Sequence, residues 1–196
     1  KVISKDSHKR RLENLIWKRS WNSSRRQLKR VDNDIKILST AKINLARRRG
    51  NVDNLIKKIP KRLLLDEGLI YERIKWRRRA KLEASSLDLL LSYDNFVTRP
   101  KKWWVEVNYH SRKQISYKNY KTAIKILKNY NKNAGEFYYK SNWLVGWLSL
   151  TFEKDPKTAY ENFSNMFNNV RTPISKARSS FWAAKSAEIS GDQLSA

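Results

Sequence analysis

Apolar residues recur along most of the chain at intervals of three or four positions, as on one face of an amphipathic helix. Ala159, Phe163 and Met166 form one such face. The 196 residues include only 5 Gly and 4 Pro, so the chain has few of the breakers that hairpins and βα turns require. The pattern therefore predicts an all-α protein. We expect helices at residues 6–19, 21–30, 32–49, 52–59, 67–81, 84–92, 100–115, 117–130, 136–153, 156–169 and 173–190.

Several residue pairs mark where these helices begin and end. Asp155-Pro156 and Thr172-Pro173 each place a side-chain acceptor at the N-cap and a proline at the first helical position, where an N–H is not needed. Gly50-Asn51 and Gly191-Asp192 come just after periodic segments. We expect each glycine at a left-handed C-terminal position and the Asn or Asp after it to cap the next helix.

Gly146 lies among large apolar residues, between Trp143-Leu144 and Trp147-Leu148. A residue without a side chain lets another backbone or ring come close. The sequence therefore predicts that a neighbouring helix approaches closely at Gly146.

Alanine recurs near the start of the second helix of successive helix pairs. The step from Ala80 to Ala123 is 43 residues and the step from Ala123 to Ala159 is 36, close to the roughly 34–47-residue units of helical-pair solenoids. Ala84 is an alternative first member. Stacked pairs bury faces that one pair cannot bury alone, and the array curves into a concave surface. We predict a superhelical α-solenoid of stacked, tetratricopeptide-like pairs as a single domain over residues 1–196; an irregular helical bundle is the alternative.

The chain is strongly basic. It has 43 Lys and Arg against 18 Asp and Glu, a formal net charge of +25 at pH 7, which indicates an anionic partner and says nothing about the fold. The longest apolar stretch, residues 143–150, is far shorter than the ~20 residues that cross a bilayer, so we expect no membrane span. The absence of Cys excludes a disulfide framework, a zinc-thiolate site and a thiol nucleophile.

Catalytic and metal-binding motifs are missing from the sequence. His8 and His110 are the two histidines, too few for a zinc site or a His-based triad, and no Gly-rich phosphate loop occurs. Asp66-Glu67 precedes a helical segment, where acidic residues complement the helix dipole better than they suit acid–base chemistry. We therefore predict no catalytic residue, no metal site and no cofactor.

The eight Trp are the second unusual feature of the composition. Most lie on the apolar side of their helices, which favours packing between helices. Two segments also interleave aromatic and basic residues. This pattern is typical of proteins that bind anionic ligands whose flat rings stack on aromatic side chains. A solvated charged face is the alternative interpretation of these segments. The candidate ligand-binding residues are Arg77, Arg78, Arg79, Lys101, Lys102, Trp103 and Trp104.

Residues 143–191 carry a series of specific motifs: Trp143-Leu-Val-Gly-Trp-Leu-Ser-Leu150, Asp155-Pro-Lys-Thr-Ala-Tyr160, Arg171-Thr-Pro-Ile-Ser-Lys-Ala-Arg178 and Phe181-Trp182-Ala-Ala. They resemble the superhelical region of soluble lytic murein transglycosylases. The resemblance extends upstream, in the form found in alphaproteobacterial members, through Trp21, Gly50-Asn-Val-Asp53, Trp76-Arg-Arg-Arg79 and Trp103-Trp104. In that family the region is a solenoid of tetratricopeptide-like pairs that leads into a lysozyme-like catalytic domain.

The resemblance implies a periplasmic protein whose intact form is a lyase of the β-1,4 bond between N-acetylmuramic acid and N-acetylglucosamine. One Glu would act as acid and then base, the C6 hydroxyl of the sugar as nucleophile, with no metal or cofactor. The family's catalytic Glu precedes a Ser, and none of the nine Glu here does. We therefore expect the catalytic domain to lie outside these residues. Ala184-Lys185 stands where the family commonly has Gly-Arg, so the basic residue is kept and the glycine is not.

Three functions are consistent with these observations. The resemblance implies a non-catalytic scaffold that shapes or binds the murein strand for its own catalytic domain, with a basic surface facing the carboxylates of the peptide stems. Charge and Trp content alone favour a nucleic-acid-binding helical repeat, which ranks below murein once the resemblance is counted. A protein-interaction solenoid that recruits a cell-wall partner is the third.

Overall fold

In a computed structural model, the chain is described over residues 4–95, 97–130 and 136–191. These ranges contain eleven α-helices and no strand, which confirms the all-α class. Each range predicted from the sequence overlaps one of these helices. None of the helices in the described ranges combines the length and hydropathy needed to span a bilayer. The helices are α1 (Lys5–Trp17), α2 (Trp21–Gln27), α3 (Asn33–Arg47), α4 (Val52–Lys57), α5 (Glu67–Arg79), α6 (Glu83–Ser92), α7 (Pro100–Ser116), α8 (Tyr120–Tyr130), α9 (Glu136–Leu148), α10 (Pro156–Asn169) and α11 (Pro173–Ser190).

The caps predicted for the last two helices are confirmed. Asp155 Oδ1 accepts a hydrogen bond from the backbone N–H of Thr158 at 3.0 Å, and Thr172 Oγ1 accepts one from Ser175 at 3.3 Å. Hydrogen bonding from Thr158 lowers the pKa of Asp155 below its ordinary value. Gly191 has a φ of 79° and ends α11 in the left-handed conformation, as expected. Asp192, expected to act as a cap after it, lies outside the described residues.

The end of α3 differs from the prediction. The left-handed residue is Arg48, with a φ of 58°, and not Gly50. The helix ends two residues earlier than expected, and the left-handed residue must come directly after it so that its N–H reaches the last carbonyls. The Arg48 N–H accordingly bonds to the carbonyls of Asn44 and Leu45. Asn51 is the N-cap of α4, but its side chain makes no capping hydrogen bond.

The chain divides into two compact units, unit 1 (Lys1–Leu89) and unit 2 (Leu90–Ala196). In unit 1, apolar residues of α3, including Leu38 and Leu45, pack against Leu69 of α5. Val52 and Ile59 complete the buried part of this core. In unit 2, each helix from α7 to α11 packs against the next in the chain.

Unit 1 buries a lysine. The Lys42 side chain is 1% exposed, and its ammonium forms ion pairs with Glu13 and with Asp66, the latter at 3.0 Å. Asp66 also accepts a hydrogen bond from the Leu69 N–H at 2.9 Å and so caps α5. A Cβ on Gly68 would lie 2.7 Å from Lys42 Cε, so the glycine makes room for the lysine. These contacts join α1, α3 and α5.

Close approach at Gly146 is confirmed. A Cβ there would lie 2.8 Å from the Phe163 ring, closer than real Cβ contacts allow, so α9 and α10 meet at this glycine. Phe163 and Ala159 are fully buried, and Ala183 is buried beside them. The rings of Trp143 and Trp182 pack around this cluster.

The alanine repeat is found in part. Ala123 and Ala159 are both fully buried at the fourth positions of α8 and α10. Ala80 and Ala84 differ, since both are exposed and Ala80 lies at the C-cap of α5. Two equivalent alanines do not establish a repeat, and the superhelical solenoid stays a prediction.

Candidate functional site

The seven residues proposed from the sequence fall in both units. Arg77 and Arg78 are half-buried and Arg79 is exposed in the last turn of α5. Arg77 Nη1 donates a hydrogen bond to the Ser85 carbonyl at 2.9 Å, which fixes its guanidinium. In unit 2, the first turn of α7 carries Lys101 and Lys102, exposed and half-buried respectively. The end of α5 and the start of α7 thus belong to different units.

The two adjacent tryptophans of α7 have different environments. Trp103 is 1% exposed and stacks on Tyr93, with ring centroids 4.9 Å apart and planes 10° from parallel. Trp103 is therefore a core residue of unit 2, which agrees with the interpretation that the tryptophans pack between helices. Its ring is not accessible to a ligand. Trp104 is half-buried, with its ring centroid 5.6 Å from that of Tyr130 and 5.8 Å from that of Phe137.

Trp104 lines a groove of about 580 Å³ in unit 2, which we call the unit-2 groove. This volume lies within the ~300–1,000 Å³ of typical ligand sites. Trp104, Asn108 and Arg112 of α7 line the groove, and their spacing of four residues places them on one face of the helix. The remaining lining residues are Tyr139, Lys140, Trp143, Leu144, Met166, Val170, Ser175 and Arg178.

The unit-2 groove combines aromatic rings with positive charge. Arg112, Lys140 and Arg178 line it, and the described lining includes no carboxylate. The Arg178 guanidinium lies 5.2 Å from the centroid of the Trp143 ring, within cation–π distance. Arg112 Nε donates to Asn108 Oδ1 at 3.1 Å, which orients the Arg112 guanidinium. The groove is thus suited to a ligand that carries both anionic groups and flat or apolar surfaces.

Burial also affects a tyrosine beside the groove. The Tyr130 ring contacts Trp104, and its hydroxyl donates to the Pro100 carbonyl at 2.8 Å. Burial raises the pKa of Tyr130 far above its ordinary value. The hydroxyl therefore stays neutral and supports the position of Trp104.

A second cavity, of about 470 Å³, lies in unit 1 between the end of α3, the start of α4 and the second half of α5. We call it the unit-1 cavity. Arg77 lines it, as does Trp76. Arg78, Arg79, Lys101, Lys102 and Trp103 line neither the unit-1 cavity nor the unit-2 groove.

Sequence reasoning missed most of the groove. Tyr139-Lys140 meets the same criterion of adjacent aromatic and basic residues that selected Trp103 and Trp104. Arg178 and Trp143 lie 35 positions apart, and no local signal joins them. Both lie in the segment that resembles lytic transglycosylases, where Arg178 ends one of the motifs.

Both histidines make contacts typical of structural residues. His110 is 2% exposed and packs edge-on against Tyr109, with ring centroids 5.3 Å apart. His8 Nδ1 lies 2.9 Å from Gln27 Nε2, at hydrogen-bonding distance. In the part of the chain that the structure describes, no three His, Asp or Glu side chains are grouped so as to hold a metal ion.

Comparison of the chain with protein-family models, curated proteins and solved structures finds no match. Its function is therefore inferred from its own residues and their arrangement.

Proposed function

We propose that the chain is the non-catalytic superhelical scaffold of a soluble lytic murein transglycosylase, and that it binds the murein strand in the unit-2 groove. The observation that carries the proposal is the composition of this groove, three cations and three aromatic rings without a carboxylate. Most of its lining comes from α9, α10 and α11 and the residue after α10. These helices contain the motifs that resemble the family, so the sequence and the groove point to one segment.

Murein has the two properties that such a groove recognises. Its glycan strand presents the apolar faces of sugar rings, which suit the ring of Trp104. Its peptide stems carry carboxylates, which suit charge-assisted hydrogen bonds from Arg112 and Arg178. The guanidinium of Arg178 lies over the ring of Trp143, and this cation–π contact holds it at the groove.

The superhelical form, the periplasmic location and the partnership with a lysozyme-like catalytic domain belong to the same proposal. They rest on the resemblance of the motifs. The packing of each helix from α7 to α11 on its successor in the chain supports stacked helical pairs. The scaffold then holds the murein strand while the catalytic domain cleaves it.

Replacing Arg112 and Arg178 with Gln should weaken binding to purified sacculi by at least about a hundredfold, because two charge-assisted contacts are lost. Binding is measured by sedimentation at a fixed ionic strength, since salt screens exposed charges. The matched control is Lys121→Gln with Lys125→Gln. These exposed lysines of α8 remove the same charge from unit 2 and do not line the groove.

Equal losses of affinity from the two double variants would show that net charge alone accounts for binding to sacculi. That result would contradict the proposal that murein binds in the unit-2 groove. Duplex DNA at the same salt is the second comparison, because a net charge of +25 also suits nucleic acid. Tighter binding to DNA than to sacculi would favour the nucleic-acid interpretation.

A further inference from the structure

The unit-1 cavity has an excess of positive charge. Arg49, Lys57, Arg73 and Arg77 line it, against a single lining carboxylate, that of Asp53. The excess is therefore three positive charges. Arg73 and Arg77 are four positions apart on α5, so they share one face of the helix, where like charges repel.

This repulsion acts on a guanidinium that is already partly removed from water. Burial, and then the charge of Arg77, lower the pKa of Arg73, and Asp53 offsets only part of the effect. Arg77 cannot easily turn away, because its Nη1 is held by the Ser85 carbonyl at 2.9 Å. This grouping of cations is electrostatically unfavourable, and a bound anion relieves it.

Apart from Asn51, the remainder of the cavity wall is apolar. Leu45 and Val52 belong to the buried core of unit 1, and Trp76 packs against that core while also lining the cavity. A volume of about 470 Å³ exceeds what a single small ion fills and lies in the usual range of small-ligand sites. The site therefore suits an anionic group attached to a flat or apolar part.

We propose that the unit-1 cavity binds a small molecule that carries a phosphate group, with the phosphate between Arg49, Arg73 and Arg77 and its apolar part against Trp76. A carboxylate brings one charge and two acceptor oxygens. A phosphate ester brings about two negative charges and three acceptor oxygens at pH 7, and so neutralises more of the excess positive charge than a carboxylate does. Guanidinium groups match phosphate oxygens in pairs. This site is separate from the murein proposal, since its residues all belong to unit 1.

The test uses isothermal titration calorimetry on the whole chain at constant ionic strength, with phenyl phosphate, benzoate and inorganic phosphate as probes. Phenyl phosphate should bind saturably, and at least about tenfold more tightly than benzoate, because the extra charge meets the excess of cations. Inorganic phosphate should bind more weakly than phenyl phosphate, because it lacks the ring that meets Trp76. Equal affinity for phenyl phosphate and benzoate, or no saturable binding, would overturn the proposal.

Arg73→Gln should reduce the affinity for phenyl phosphate by at least about tenfold, since a charge-assisted contact is lost. Arg49→Gln tests the same site at an exposed residue, where the fold does not depend on the side chain. The matched control is Arg25→Gln, an exposed residue of α2 that does not line the cavity. An equal loss in Arg25→Gln would show that the binding is adventitious and would reject the site.

Discussion

Replacing Glu13 with Gln and Asp66 with Asn together should lower the free energy of unfolding of unit 1 by about 3–5 kcal/mol, the usual cost of breaking a buried ion pair. The side chain of Lys42 is 1% exposed, and both carboxylates pair with its ammonium. The double variant leaves this charge buried without its partners. The Asp66→Asn change keeps a side-chain oxygen that can cap α5, so the loss comes from charge. Urea denaturation measures the change, and hydrogen exchange assigns it to unit 1.

The matched control neutralises two other acidic residues of unit 1, as Asp32→Asn and Asp34→Asn. Asp32 pairs with Lys5 at 3.0 Å and Asp34 pairs with Arg62, and all four side chains are at least 38% exposed. Exposed pairs contribute about 0–1 kcal/mol each, so this variant should be close to wild type. A comparable loss in both double variants would contradict the importance of the buried lysine.

The same cluster predicts a dependence on alkaline pH. Burial alone lowers the pKa of Lys42, but the charges and hydrogen bonds of Glu13 and Asp66 outweigh it, and the pKa lies above its ordinary value of 10.5. The folded state therefore binds this proton more tightly than the unfolded state. The stabilisation is fully present below pH 10.5 and is lost as the pH rises through the raised pKa. The Glu13/Asp66 double variant should lack this alkaline loss.

Gly146→Leu should lower the free energy of unfolding of unit 2 by about 1–3 kcal/mol through overpacking. The first side-chain carbon alone would lie 2.8 Å from the Phe163 ring, which is fully buried and packed against Trp143 and Trp182. Leucine has the better helix propensity by roughly 1 kcal/mol, so a net loss shows that the clash dominates. Thermal and urea denaturation measure the effect.

Ala177→Leu is the control for adding a leucine to a helix of the same unit, because Ala177 is exposed on α11. It should leave stability within about 0.5 kcal/mol of wild type. In a Phe163→Ala background, Gly146→Leu should become less destabilising, since the ring it meets is gone. An unchanged cost in that background would show that Phe163 is not the obstacle.

The helices could be predicted because their signals are local. The apolar period places each helix, and Asp155 and Thr172 cap their helices with side-chain oxygens that the sequence shows directly. The end of α3 could not be predicted in the same way. A glycine was the natural left-handed residue, but Arg48 takes that conformation because the helix stops before Gly50.

The candidate site was harder to predict because it depends on which way each side chain faces. Trp103 and Trp104 are neighbours in sequence but about 100° apart around α7, so one enters the core and the other reaches the groove. Arg112 and Arg178 are 66 positions apart and line one groove only because α7 and α11 both border it. The sequence shows their charge and not their proximity.

The buried lysine shows the same limit. Lysine is rarely buried, and a basic chain gives no reason to single out one of its many cations. The partners of Lys42 lie 29 and 24 positions away, on either side of it in the chain. Only the packing of α1, α3 and α5 brings Glu13 and Asp66 to the same ammonium.

The most direct test of murein binding monitors the indole N–H signals of the tryptophans by NMR while a soluble murein fragment, a disaccharide with its peptide stem, is added. The signals of Trp104 and Trp143, which line the unit-2 groove, should shift saturably with the fragment. Those of Trp17 and Trp103, which are 5% and 1% exposed, should not. No saturable shift at Trp104 and Trp143, or shifts confined to residues outside the groove, would contradict the proposal that this chain binds murein there.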